Sequence, residues 1–186
     1  MPPDIAFPTL RTTDRLRAAR AELDRLSQRG RAFLGSRHAI LGGAMSWVSD
    51  RTLVSAISNA GGFGVVACGS MSPDLLAAEI AATQALTRAP FGVILITMHP
   101  QVLDLVQVCL QAGVSHVVLA GGVPSVAAVR AVKDGGAKLM CFAPALGFAQ
   151  RLIRSGADAL VIEGSEAGGH IGPVSLGVLE IGRAHV

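Results

Sequence analysis

The sequence has few of the side chains that bind nucleic acids. It contains no Tyr and one Trp, and its 16 Lys and Arg against 13 Asp and Glu leave a net charge of only +3. No run of basic residues stands out along the chain. Because nucleic-acid binding needs a basic patch, usually with aromatic rings on which bases stack, we expect no nucleic-acid partner.

Cysteines and long apolar runs are also scarce. The three cysteines, Cys68, Cys109 and Cys141, lie far apart and no C-x-x-C pair occurs, so neither a zinc site nor a disulfide framework is predicted. No apolar run reaches the ~18 residues that a membrane helix needs. Residues 1–10 lack the basic start and the following apolar stretch that characterise a signal peptide. We therefore expect a cytoplasmic protein with reduced, buried thiols, no bound metal and no membrane contact.

The residues that are abundant are apolar ones and glycine. Hydrophobic residues make up 51% of the chain, charged residues only 16%, and 22 residues are glycine. Such a chain is too apolar to be disordered. The composition is typical of one domain of buried parallel strands with helices packed on them.

Apolar runs and helical patterns alternate along most of the chain. Residues 12–34 predict an amphipathic helix with Leu16, Leu23, Leu26 and Phe33 on one side. Six apolar runs then predict strands at 39–43, 64–68, 92–97, 116–120, 138–142 and 159–163. Helical patterns lie between them at 51–59, 73–87, 100–112, 125–134 and 146–155. Glycines in 112–114, 135–137 and 155–157 can supply the left-handed residue that ends a helix.

Strict alternation of strands and helices predicts a parallel sheet with right-handed crossovers. A doubly wound open sheet and a barrel both satisfy this pattern. Six such units without a G-x-G-x-x-G motif after the first strand favour an α/β fold that is an incomplete (β/α)8 (TIM) barrel, preceded by an N-terminal helix. We divide the chain into a helical extension (1–37), a partial barrel (38–179) and a tail (180–186).

The tail resembles the translation of a sequencing adapter, so it is excluded from the fold prediction. The natural chain is then expected to continue from about Leu179 into strands seven and eight. A six-stranded open barrel exposes two sheet edges and part of its core. On this interpretation the 186-residue product alone should be poorly stable and bind a cofactor weakly or not at all.

Two glycine-rich loops follow predicted strands, at the end where (β/α)8 barrels hold their active sites. The loop at 163–172 contains four glycines, two carboxylates and one imidazole. Its glycines allow close approach of a ligand and offer N–H groups to an anion. The alternative is a flexible loop whose histidine is merely solvated. The loop at 42–47 has small residues that let a flat ring lie on the backbone, unless Met45 and Trp47 simply pack on the barrel rim.

The five histidines divide by their position relative to the strands. His38 and His116 come at strand starts, on the face opposite the expected active site, and His185 lies in the tail. His170 lies in the loop after strand six, and His99 follows strand three. We take His170 as the candidate catalytic residue. His99 is the alternative, although the adjacent Pro100 suggests that it belongs to a helix start.

Several segments resemble the nitronate monooxygenase (2-nitropropane dioxygenase) family and the related FMN-dependent enoyl-acyl carrier protein reductases. They are LGGAMSWVS at 41–49, SNAGGFG at 58–64, PFGV at 90–93 and EGSEAGGHIG at 163–172. The resemblance covers residues 39 to about 178. The combined match is specific to this superfamily, and the monooxygenase branch is the closer one.

The resemblance implies an FMN-binding barrel and assigns candidate roles within it. By this comparison the cofactor-binding residues are Gly43, Ala44 and Met45, which back the flavin with main chain, Glu163 near its polar edge or ribityl chain, and Gly168 and Gly169. His170 corresponds to the histidine that acts on substrate. Where the family has an asparagine that contacts FMN, this chain has Ile94. That departure should weaken flavin binding by about one hydrogen bond, ~1 kcal/mol.

The implied activity is oxidation of alkyl nitronates or nitroalkanes by dioxygen with FMN as cofactor. His170 would hydrogen-bond the nitro group of the substrate or remove the α-proton of a neutral nitroalkane. Two alternatives stay open. One is an NAD(P)H-dependent FMN enoyl reductase of the same fold, and the other is a non-catalytic barrel that binds a phosphorylated ligand, which the apolar Ile94 supports.

Overall fold

The computed structural model describes residues 14–168, 171–172 and 174–176. One long helix precedes six strands that alternate with five helices. In chain order these elements are α1 (Asp14–Leu34), β1 (Leu41–Gly42), α2 (Arg51–Asn59), β2 (Phe63–Ala67), α3 (Pro73–Leu86), β3 (Phe91–Ile96), α4 (Val102–Gln111), β4 (His116–Ala120), α5 (Val126–Asp134), β5 (Lys138–Phe142), α6 (Leu146–Ser155) and β6 (Ala159–Val161).

Local sequence signals set the helix ends. The hydroxyls of Ser72 and Ser125 accept hydrogen bonds from backbone N–H groups in the first turns of α3 and α5, which satisfies donors that have no partner within the helix. Gly113, Gly136 and Gly156 adopt positive φ angles after α4, α5 and α6. The predicted helix-ending role of these glycine segments is confirmed.

The sheet has the strand order β1-β2-β3-β4-β5-β6, and every pair is parallel. Each crossover therefore steps to the neighbouring strand in the same direction. Right-handed crossovers in one direction place all the connecting helices on one side of the sheet, whereas a doubly wound sheet has them on both. The sheet curls so that its other side forms an interior. The expected incomplete (β/α)8 barrel is confirmed.

Both faces of β2, β3, β4 and β5 are largely buried, which explains their continuous apolar sequences, whereas β1 and β6 at the sheet edges are more exposed. Alternate residues face α2–α6 and form the larger core cluster, with Val93, Leu95 and Leu119 fully buried among them. The others form an inward cluster of Phe63, Val65, Val118 and Met140, to which Leu34 of α1 belongs.

The start of α1 packs less than its pattern predicted. Leu23 and Leu26 on its apolar side are 65% and 66% exposed, and Leu16 is exposed as well. Only the last turn, with Phe33 and Leu34, joins the inward cluster. The helix is therefore attached to the sheet at its carboxyl end.

The three cysteines are free and buried, as expected. Burial raises the pKa of Cys68 and Cys141 to about 11 and that of Cys109 to about 12. Thiols that stay protonated at neutral pH are poor nucleophiles and poor metal ligands. Within the described ranges, no cluster of His, Cys, Asp and Glu suited to a metal ion is found, and no helix is long and apolar enough to cross a membrane.

Candidate functional site

The segments that follow the strands lie at one edge of the sheet, because parallel strands have their carboxyl ends on the same side. We call this edge the carboxyl face; it consists of residues 43–50, 68–72, 97–101, 121–125, 143–145 and 162–176 as far as they are described. The structure places five of the predicted cofactor-binding residues on the carboxyl face: Gly43, Ala44, Met45, Glu163 and Gly168. Gly169 and the predicted catalytic His170 lie outside the described residues, so their roles stay predictions.

The loop after β1 is held in shape by Ser49. The Ser49 hydroxyl accepts a hydrogen bond from the Met45 N–H at 2.9 Å and donates one to the Gly43 carbonyl oxygen at 3.1 Å. Ala44 packs against the inward cluster, while a side chain added at Gly43 would meet nothing within 4 Å. The segment from Gly43 to Met45 therefore presents backbone to open space.

Two large apolar side chains of this loop are not packed on the barrel rim. Trp47 is 85% exposed and Met45 is 51% exposed, so rim packing does not account for them. Trp47 is also the only non-glycine among the described residues with a positive φ angle, 65°. Non-glycine residues held in the left-handed region cluster at functional sites.

The loop after β6 turns back on itself, and its two strands of backbone are joined by hydrogen bonds. Ser165 N–H donates to the Val174 carbonyl at 2.8 Å, and Gly172 N–H donates to the Gly164 carbonyl at 3.0 Å. The Glu166 carboxylate accepts from the Leu176 N–H at 3.0 Å. Of the two predicted loop carboxylates, Glu166 thus has a structural partner. The described part of the loop thus has defined backbone contacts, while the choice between a ligand-binding loop and one with a solvated histidine stays a prediction, because His170 lies outside the described residues.

Two glycines of this loop are needed for its close return. A Cβ atom on Gly172 would overlap the Glu163 carbonyl oxygen, and one on Gly164 would lie 2.7 Å from the Leu176 nitrogen. Gly168, by contrast, has open space around it. Glu163 is half-buried at the base of the loop, and no described residue forms a hydrogen bond with its carboxylate.

The alternative catalytic candidate, His99, takes part in a helix start. Its Nδ1 accepts a hydrogen bond from the Gln101 N–H at 3.1 Å, just before α4. A neutral His99 therefore carries its proton on Nε2. This arrangement agrees with the interpretation of His99-Pro100 as the beginning of a helix.

Ile94 lies within β3 with its side chain toward the inward cluster. Its neighbours in the sheet register are Ala67 of β2 and Val118 of β4. All three side chains are apolar, so this row of the barrel interior offers no side-chain hydrogen bond to a ligand.

Three further residues of the carboxyl face were not predicted from the sequence: Thr97, Gly121 and Gly122. The Thr97 Oγ1 atom is the single buried side-chain N or O atom without a hydrogen-bond partner in the part of the chain that the structure describes. It lies at the end of β3, and a Cβ on Gly122 would lie 3.4 Å from it. Both glycines, directly after β4, have positive φ angles. The pair Gly121-Gly122 directly after an apolar run is the sequence signal that could have identified this loop.

Comparison with known proteins agrees with the family resemblance found in the sequence. The family model described as nitronate monooxygenase matches residues 28–109 and 103–183. A dehydrogenase of Mycobacterium tuberculosis, named for a hydroxy-methyl-oxo-octahydroindene carboxyl-CoA, is 35% identical over 147 residues, which are 79% of this chain and 41% of that protein.

Two solved structures are also similar. FabK from Thermotoga maritima has a TM-score of 0.79 and 38% identity, covering 84% of this chain and 50% of that one. Nitroalkane oxidase from Streptomyces ansochromogenes has a TM-score of 0.65 and 26% identity, covering 72% of this chain and 48% of that one. The chain thus spans about half, or less, of the length of these relatives.

Proposed function

The chain belongs to the nitronate monooxygenase family, and from that membership we propose that the protein binds FMN at the carboxyl face and oxidises alkyl nitronates with dioxygen. The observation that carries the proposal is the exposed glycine backbone of two loops on this face. Gly43 after β1 and Gly168 after β6 both have open space where a side chain would be. Backbone without side chains is what a flat ring and an anionic group can approach closely.

The described residues fit a flavin. A tricyclic ring system needs a flat apolar support, which the backbone of Gly43, Ala44 and the adjoining Met45 can provide. It also carries polar edges, and the partnerless Thr97 hydroxyl and the half-buried Glu163 carboxylate are available to such edges. Gly168, and Gly169 by the family resemblance, would approach the cofactor through main-chain N–H groups.

FMN held by the backbone of Gly43–Met45 and by Gly168 would supply the redox chemistry between substrate and dioxygen. The protein's part is to bind and orient the substrate and to manage its proton. We assign that part to His170, which hydrogen-bonds the nitro group of a nitronate or removes the α-proton of a neutral nitroalkane. An imidazole ordinarily has a pKa of ~6.5, which suits a base at neutral pH.

The proposal is tested with the purified full-length protein. Purified protein should carry or take up FMN, and with an alkyl nitronate under air it should consume dioxygen. A folded protein that binds no flavin would contradict the proposal. It would instead favour the non-catalytic barrel, which family membership otherwise argues against.

The FMN enoyl reductase remains a second candidate because one observation favours it. Several apolar side chains on the carboxyl face are exposed, including Met45, Trp47 and Met98. They would suit a substrate with a long apolar chain. Anaerobic mixing separates the two functions, since a reductase's flavin is bleached by NADH or NADPH, whereas a monooxygenase's flavin is bleached by the nitronate.

A further inference from the structure

Ser49 connects the two ends of the backbone segment that faces open space after β1. Its side-chain oxygen lies between Gly43 and Met45, at 3.1 Å from the carbonyl oxygen of the first and 2.9 Å from the nitrogen of the second. We propose that Ser49 is a positioning residue, which fixes the backbone of Gly43–Met45 in the conformation that supports the flavin. This inference rests on the proposed function.

These two contacts use the proton of the Ser49 hydroxyl and one of its two lone pairs. A hydroxyl has one proton to donate, which goes to the Gly43 carbonyl, and it accepts the Met45 N–H on a lone pair. Ser49 is only 4% exposed, so water does not compete for these bonds. The hydroxyl thereby fixes the separation of Gly43 O and Met45 N, and with it the orientation of the two peptide planes between them.

The main chain of Ser49 is held as firmly as its side chain. Its N–H donates to the Met45 carbonyl at 2.9 Å, and its carbonyl accepts from the Ala67 N–H at 3.1 Å, at the end of β2. The loop after β1 is therefore tied to the neighbouring strand through Ser49. A shift of this residue would move the whole segment relative to the barrel.

The residues that follow Ser49 anchor its backbone to two helices. Asp50 caps α2, its carboxylate accepting from the N–H groups of Thr52 and Leu53 at 3.0 and 3.1 Å. The buried carboxylate of Glu79, on α3, accepts from the Arg51 N–H at 2.6 Å and pairs with the Arg51 guanidinium. Since two helices anchor the position after Ser49, the flexible part of the loop must adapt to Ser49 rather than the reverse.

The conformation of Trp47 indicates that the closed loop is under strain. Its φ of 65° is unfavourable for a residue with a side chain, and at 85% exposure the indole gains little from packing. Loss of the bridge from Ser49 is therefore expected to let Trp47 leave this strained conformation. The bridge is therefore expected to decide which state the loop occupies.

The test compares Ser49→Ala with Ser55→Ala in the full-length protein. Ser55 is a matched control because it is also a buried serine, 6% exposed, and its hydroxyl donates to the Thr52 carbonyl within α2, away from the loop. FMN affinity is measured by flavin fluorescence, and exchange of the Met45 amide by hydrogen–deuterium exchange. Ser49→Thr, which keeps a hydroxyl, is the conservative variant.

We expect Ser49→Ala to raise the Kd for FMN at least about fivefold and to speed Met45 amide exchange by a similar factor, the size of one lost hydrogen bond. Ser55→Ala should leave both unchanged, and Ser49→Thr should restore both. If Ser49→Ala matches Ser55→Ala, or if Ser49→Thr is as weak as Ser49→Ala, Ser49 has no positioning role. If the unsubstituted protein binds no FMN, the proposed function fails and this inference fails with it.

Discussion

The imidazole Nε2 of His116 lies 2.9 Å from the main-chain carbonyl oxygen of Phe33, 83 residues earlier in the chain. A carbonyl only accepts, so Nε2 carries the proton, and Nδ1 accepts from the Ser115 hydroxyl at 2.8 Å. The Lys138 ammonium donates to the same carbonyl. Carbonyls in the last turn of a helix lack partners within it, and cationic donors are favourable there. These contacts fasten α1 to the amino ends of β4 and β5.

The first prediction concerns the pH dependence of stability. Burial lowers the pKa of His116, which is only 2% exposed. The hydrogen bond to Phe33 and the charge of Asp158 raise this pKa, and the charge of Lys138 lowers it further, so that the net shift is downward. The unfolded chain, with a His pKa of ~6.5, therefore binds more protons just below that pH than the folded chain does. The free energy of unfolding should fall as pH drops below ~6.5, by at most ~1.4 kcal/mol per unit.

Urea unfolding between pH 7.5 and 5.0 measures this effect. His116→Gln is the matched variant, because its amide can still donate to the Phe33 carbonyl but does not titrate, and its stability should be flat over the window. Asp158 does not interfere: burial raises its pKa, but the Leu139 N–H and Lys133 outweigh that and hold it below its ordinary value, so it acts only in more acidic solution. Identical pH profiles for the two proteins would rule out His116 as the source.

A second prediction follows from the close return of the loop after β6. Gly172→Ala places a methyl group on the Glu163 carbonyl, so the loop has to open. FMN affinity should fall at least about tenfold, as expected when more than one ligand hydrogen bond is misplaced. Gly147→Ala, in α6, is the control because nothing lies within 4 Å of the added carbon. Equal FMN affinities for the two variants would show that the loop's shape does not matter for the cofactor.

Most of the fold could be predicted from the sequence because its signals are local. The bounds of α2 and α6 agree with their patterns, since Asp50 caps one helix and Gly156 ends the other. Strands were less well bounded. The predicted strand at 39–43 pairs only at Leu41–Gly42, and the strand at 159–163 ends at Val161. Strand ends depend on pairing with a neighbour, which a single segment does not encode.

The candidate site was predictable as a set of loops but not as a set of contacts. The glycine-rich segments after β1 and β6 were identified because glycine has a distinctive backbone freedom. The bridge from Ser49 and the contact of Glu79 with Arg51, 28 residues apart, were not, since they depend on how loops and helices meet in three dimensions. The positive φ angle of the exposed Trp47 likewise has no signature in composition or periodicity.

A third prediction concerns Ile94, where the family resemblance places an asparagine that contacts FMN. Ile94→Asn should strengthen FMN binding about fivefold, the equivalent of ~1 kcal/mol for one hydrogen bond. The same change should reduce the free energy of unfolding by ~1–3 kcal/mol, because an amide replaces an apolar group in the inward cluster. Ile96→Asn, two residues further along the same face, should lower stability without improving affinity. An Ile94→Asn protein that binds FMN no better than the parent would refute the supposed contact.

The last prediction separates the predicted catalytic residue His170 from the alternative candidate His99. If His170 handles the substrate's proton, His170→Ala should reduce nitronate or nitroalkane turnover by at least ~100-fold, the usual contribution of a general base, while FMN binding and stability change little. His99→Ala should do the opposite. It removes the acceptor for the Gln101 N–H just before α4, which costs ~1 kcal/mol of stability, as for other single hydrogen bonds, and turnover should stay near that of the parent. Steady-state kinetics with urea unfolding on both variants distinguishes these outcomes. Near-normal turnover in His170→Ala would reject its assigned role, and a large loss of turnover in His99→Ala at unchanged stability would transfer that role to His99.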